Sequence, residues 1–123
     1  MNYENLYDEF KTVVPEGSAF YEEKEEENDL DETDGQHIYF GEVVVPYIRE
    51  LLKSNEDEKL KKVFAFLEEM EKDKDPKACE VVEFTVLEQL SDNKEELEKL
   101  KPYMGPETRE ALHSMAWWLN ISA

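Results

Sequence analysis

The residues with the densest potential for chemistry lie between Glu22 and Asp34. There nine carboxylates (Glu22, Glu23, Glu25, Glu26, Glu27, Asp29, Asp31, Glu32 and Asp34) accompany a single base, Lys24. Such a tract could ligate calcium, supply an acid–base pair, or present negative charge to a basic partner. A calcium loop needs ligands at positions one, three and five, glycine at six and glutamate at twelve. With Gly35 at six, position one is Leu30, which has no ligand atom. With Asp29 at one, position six is Asp34 and position twelve is Phe40. Neither frame works, so no metal is expected there. Aromatic residues flank the tract, Phe20 and Tyr21 before it and Tyr39 and Phe40 after it. Aromatic anchors ringed by charge suit a protein interface. The carboxylates could also imitate nucleic-acid phosphates and fill a basic groove. The nine acids, with Tyr21 and Tyr39 as anchors, are therefore the expected partner-binding residues, and an exposed Trp117 or Trp118 is a further candidate. The competing reading is a solvated, mobile acidic segment over 22–36.

Other chemistry is poorly provided for. Cys79 is the single cysteine, so no internal disulfide forms, and His37 and His113 are too distant in sequence to make a zinc-ligand pair with it. Its apolar neighbours predict a small buried hydrophobe. No nucleophile is accompanied by a base and an orienting group, and the four glycines form no phosphate cradle. Carboxylate pairs are too abundant for any one to be singled out. No enzymatic activity, cofactor or small-molecule substrate is expected.

The chain has 123 residues, enough for a single domain over 1–123 with one hydrophobic core. Its 32 acids and 14 bases give a net charge of −18. That charge repels nucleic acid and anionic membrane surfaces, and it speeds encounter with basic proteins. Neither a secretory leader nor an apolar run of membrane-spanning length stands out, so a cytoplasmic home with reduced cysteine is expected.

These residues must be positioned by helices. Tyr3, Leu6, Tyr7, Phe10 and Val14 recur at helical spacing up to Pro15-Glu16-Gly17. Ser18 to Tyr21 begins a short helix running into the acidic tract, and Asp34-Gly35 marks a turn. Val44, Tyr47, Ile48, Leu51 and Leu52 share a helical face, with Pro46 tolerable only near a helix start; Val43-Val44-Val45 leaves a strand as the minority reading. Asn55 with Glu58 reads as a capping box before Leu60, Val63, Phe64, Leu67 and Met70. Asp75-Pro76 opens a helix bearing Val81, Val82, Phe84, Val86, Leu87 and Leu90, apolar enough to be the most buried element. Asp92 with Glu95 caps a short helix through Met104, and Gly105-Pro106 opens the last one. The expectation is an all-α fold of five to six helices in antiparallel hairpins, packed as a compact bundle or a short solenoid-like stack.

Four stretches carry a family resemblance. They are Phe40-Gly41-Glu42 through Leu51-Leu52-Lys53, Val63 through Met70, Val81 through Glu88, and Tyr103-Met104-Gly105-Pro106-Glu107-Thr108-Arg109. Together they resemble a small acidic all-helical bacterial domain family of largely uncharacterised members. Similar domains occur among the immunity proteins of polymorphic and contact-dependent growth inhibition toxins. The resemblance spans roughly residues 37–119 and its motifs are structural, so no binding residue is carried over from it. Joined to the charge, it implies an immunity protein that binds a cognate toxin, a nuclease with a basic cleft, and occludes its active site. The alternative is a non-enzymatic helical adaptor or regulatory binding module.

Overall fold

The computed structural model describes residues 1–121, and each apolar stripe of the sequence becomes a helix there. Helix α1, Leu6–Val13, turns Leu6, Tyr7 and Phe10 inward. A 3-10 turn, Pro15–Gly17, leads directly into α2, Ser18–Glu27. Helix α3 runs without a break over 36–53, and its middle, Phe40–Val44, is wound as a π-helix. Helix α4 is Asp57–Lys72. Helix α5 covers 76–90 and also contains a π segment, Val82–Leu87. Helix α6, Lys94–Leu100, ends in a 3-10 turn, and α7 is Pro106–Leu119. Among the described residues there are thus seven helices and no strand, an all-α fold. Helix α2 is the short helix expected to start at Ser18, and it runs into the acidic tract as far as Glu27.

Helix α3 is the hub, touching α1, α2, α4, α5 and α6. Helix α4 packs on α3, α5 and α7, and α7 also meets the π segment of α5. The α4–α7 contact joins elements far apart in sequence, so the arrangement closes on itself rather than running on as a linear stack. Phe10, Phe40, Ile48, Phe64, Leu67 and Leu87 are fully buried between these helices. Each such side chain contributes about 1.5–3 kcal/mol of transfer free energy. The most continuous burial lies in α3 rather than α5. On α5, Phe84 is 51% exposed, contrary to the expectation from its apolar neighbours.

Local chemistry explains where the helices stop. The Val43-Val44-Val45 run is helical, and Pro46 sits in the turn that follows the π segment. Proline has no N–H to return to the preceding turn, and the wider π winding relieves the clash its ring would cause. Asn55 caps nothing in α4. It sits at φ 56°, closing α3, with its N–H on the Leu52 carbonyl and the Glu56 N–H on the Leu51 carbonyl. That is a Schellman ending, which the left-handed tolerance of asparagine allows. Asp75 accepts from the Lys77 N–H at 3.0 Å, as expected, while the cap of α6 falls on Asn93, one residue past Asp92.

Candidate functional site

Helix α2 divides the acidic tract into two faces. Tyr21 and Glu25, one turn apart, point inward. The Tyr21 ring is buried against Phe10 and Tyr47, and its hydroxyl donates to the Val14 carbonyl at 2.7 Å. A Cβ on Gly17 would meet that ring at 2.6 Å, so glycine is what lets the ring lie flat on the preceding turn. Tyr21 is therefore a core residue, and its expected role as a partner anchor is corrected: no surface of it is left to offer. Glu25 accepts from the Tyr7 hydroxyl and lies 3.5 Å from Lys11 Nζ. Burial first, and the Glu25 carboxylate second, push the Tyr7 hydroxyl far above its ordinary pKa.

The other face is open. Glu22, Glu23, Glu26 and Glu27 are exposed, and Lys24 reaches Glu27 at 3.1 Å while lying over the Phe20 ring. The helix ends in a second Schellman turn, in which the Leu30 N–H returns to the Glu25 carbonyl and Asp29 takes φ 51°. Exposed Asp31 and Glu32 follow. The tract is thus helix through Glu27 and then a hydrogen-bonded turn.

That turn consumes part of its own charge. Asp31 accepts from the Thr33 hydroxyl and N–H at 2.6 and 2.8 Å, and Asp34 accepts from the Asp31 N–H at 2.8 Å. The Thr33 hydroxyl and N–H hold the Asp31 carboxyl below the usual carboxylate range. Tyr39 donates its hydroxyl to the Asp31 carbonyl and stacks on Tyr7, ring centroids 4.5 Å apart at 10°. It fastens the acidic turn to α1, and its ring is half-buried. The outward set is therefore Glu22, Glu23, Glu26, Glu27, Asp29, Asp31 and Glu32, a ridge backed by the packed inner face of α2.

Two further groupings stand apart from the ridge, one around the tryptophans already singled out and one hidden in the sequence. Phe84 on α5 and Trp118 on α7 lie 6.2 Å apart at the surface, beside Trp117, which is 83% exposed. Glu71, Cys79 and Glu83 converge where α4 meets α5, with one ligand atom from each within 4.8 Å of the others. Cys79 is half-buried among carbonyls and carboxyls, not apolar groups as its sequence neighbours implied. The spacing of the glutamates about Cys79 could have flagged this group, but carboxylates recur throughout the chain.

Among the described residues no helix is long and apolar enough to cross a membrane. No curated protein and no solved structure matches the sequence. A family profile described as a domain of unknown function, DUF7674, matches residues 7–120, from the Tyr7 that holds Glu25 to the end of α7. The chain belongs to the DUF7674 family.

Proposed function

We propose that the protein acts by binding another protein, with no catalysis of its own, and that its acidic ridge meets a basic surface on that partner. The observation that carries the reading is the ridge itself: seven outward carboxylates on one helix and its closing turn, held by Tyr21 and Glu25 inside and by Tyr39 at the end. A preformed charged surface pays little ordering entropy on binding and steers a basic partner toward it. In the narrower form the partner is a toxin domain, a nuclease with a basic cleft, and the protein is its immunity inhibitor, acting in the cytoplasm away from nucleic acid and membrane. The family resemblance of residues 37–119 supports this form. The test is co-expression with a basic toxin domain, then a salt titration of the complex. Glu22, Glu23 and Glu26 changed together to Gln should slow association about tenfold and flatten its salt dependence. Unchanged kinetics would remove the ridge from the interface.

The exposed Phe84–Trp118 pair and Trp117 favour a second reading, a helical adaptor that binds through α5 and α7. In that case Trp117→Ser would abolish binding and the three glutamine changes would not.

A further inference from the structure

Glu71 stands in the last turn of α4, and Cys79 and Glu83 stand one turn apart on the same face of α5. All three side chains are half-buried. Glu71 Oε1 is closed to solvent and meets no donor. The groups beside it are the Glu83 carboxyl and the Cys79 sulfur, within 4.8 Å. Ionised carboxylates only accept, so two of them facing across a sheltered gap need something positive between them. Lys72, the nearest base in sequence, turns instead to Glu69 at 3.8 Å. The environment adds more negative potential. Cys79 Sγ lies 3.4, 3.7 and 3.8 Å from the carbonyl oxygens of Glu71, Met70 and Asp73, at the negative end of the α4 dipole. The thiol meanwhile donates to those carbonyls, which places its sulfur beside both carboxyls.

We propose that Glu71, Cys79 and Glu83 form a binding site for a divalent cation of the zinc type, with two carboxylate oxygens, one thiolate and a water as ligands. A thiolate beside carboxylates selects a borderline-soft ion over calcium or magnesium, which take oxygen ligands. Zinc bonds of about 2.0–2.3 Å place tetrahedral ligands about 3.5 Å apart, which side-chain rotation can reach from the observed cluster. Binding exchanges protons for the ion. The thiol releases one and the carboxyl pair releases the one it shares, so one dication enters as two protons leave. Because protons leave as the ion enters, affinity rises with pH.

The experiment uses the full chain, stripped with chelator and kept reduced. Cobalt(II) is titrated by the thiolate-to-metal charge-transfer absorption and zinc by calorimetry. The expected result is one equivalent of each metal, with the absorption band present in the wild type. Cys79→Ser should abolish the band, and both Cys79→Ser and Glu83→Gln should weaken zinc binding at least about tenfold. Glu88→Gln, exposed further along α5, should change neither. Circular dichroism of each variant reports folding, and the wild-type cobalt spectrum stands whether or not a variant folds. Metal binding without the band, or binding that Cys79→Ser leaves intact, would assign the ion to surface carboxylates and overturn the proposal. Absence of binding would leave a proton-bridged carboxyl pair and overturn it equally.

Discussion

Glu68, on α4, accepts the backbone N–H and the hydroxyl of Thr108 at 2.9 and 2.8 Å, across 40 residues of chain, and so caps α7 from outside it. Its other oxygen takes the Glu107 N–H at 2.9 Å. No side chain before α7 does this work, because position 105 is glycine, and a Cβ there would meet the Glu68 carboxyl at 2.4 Å. Burial alone would push the Glu68 pKa up; the Glu107 and Thr108 donors outweigh it and hold the carboxyl below its usual range.

Glu68→Ala should therefore cost about 2–3 kcal/mol in denaturant unfolding, since buried donors lose their acceptor, and Glu68→Gln should cost less. The folded pKa is depressed, so the charge-dependent part of the gain is complete above the ordinary Glu range. It is lost as pH falls through the lower folded value. The difference between wild type and Glu68→Gln should narrow in acid. A constant difference down to acid unfolding would contradict the assignment.

Glu71 carries the opposite sign. Burial first, and the facing Glu83 carboxyl second, raise its pKa, so the folded chain keeps a proton that the unfolded chain gives up. Stability should fall as pH rises from the ordinary Glu range toward the raised value. In metal-free buffer Glu71→Gln, which needs no proton, should flatten that slope and raise Tm near neutral pH by about 4 °C for each 1 kcal/mol regained. A lower Tm with an unchanged slope would mean the pair is not protonated.

The inward half of the acidic helix is tested separately. Gly17→Ala forces a methyl group against the Tyr21 ring, which its hydrogen bond to Val14 holds in place. The expected cost is about 1–3 kcal/mol. Tyr21→Phe should lose about 1 kcal/mol. Neither should alter binding of a basic partner beyond what lost folding explains.

The outward half should behave in reverse. Changing Glu22, Glu23 and Glu26 to Gln removes like-charge repulsion from a helix with little neutralisation. Tm at low ionic strength should rise by about 1–3 °C, and the gain should fade in salt as screening does the same for the wild type. A stability loss would mean these acids hold the fold.

The helices were legible because their apolar residues recur at 3.6-residue spacing, as Leu60, Val63, Phe64 and Leu67 do. Misreadings came where one residue type serves two local purposes. Asn55 suits an N-cap and equally suits the left-handed closing residue that it is. Tyr21 looked like an interface anchor because aromatic and charged neighbours mark both a rim and a helix with one side turned inward. The acidic ridge was evident in composition, yet only the winding of α2 decides that Glu25 faces Tyr7 while Glu22, Glu23 and Glu26 face out. The Glu68 cap and the Glu71–Cys79–Glu83 cluster depend on how α4 lies against α5 and α7. No local pattern encodes that.

The π segments of α3 and α5 lie against each other, with a Cβ on Gly41 due 3.3 Å from the Thr85 methyl and the His37 imidazole 2.6 Å from the Thr85 hydroxyl. A π turn accommodates one more residue than an α turn. Removing a single residue from 40–44 would return that turn to ordinary winding and leave the helix beyond it in nearly its present phase, while removing a second would swing everything after it through about 100°. Tyr47, Ile48 and Leu51 would then rotate off the core they now fill. Length in this stretch acts as an angular setting. A relative that keeps the same packing can lose the one residue that the π turn absorbs between Gln36 and Lys53 and no more, even where it changes their chemistry.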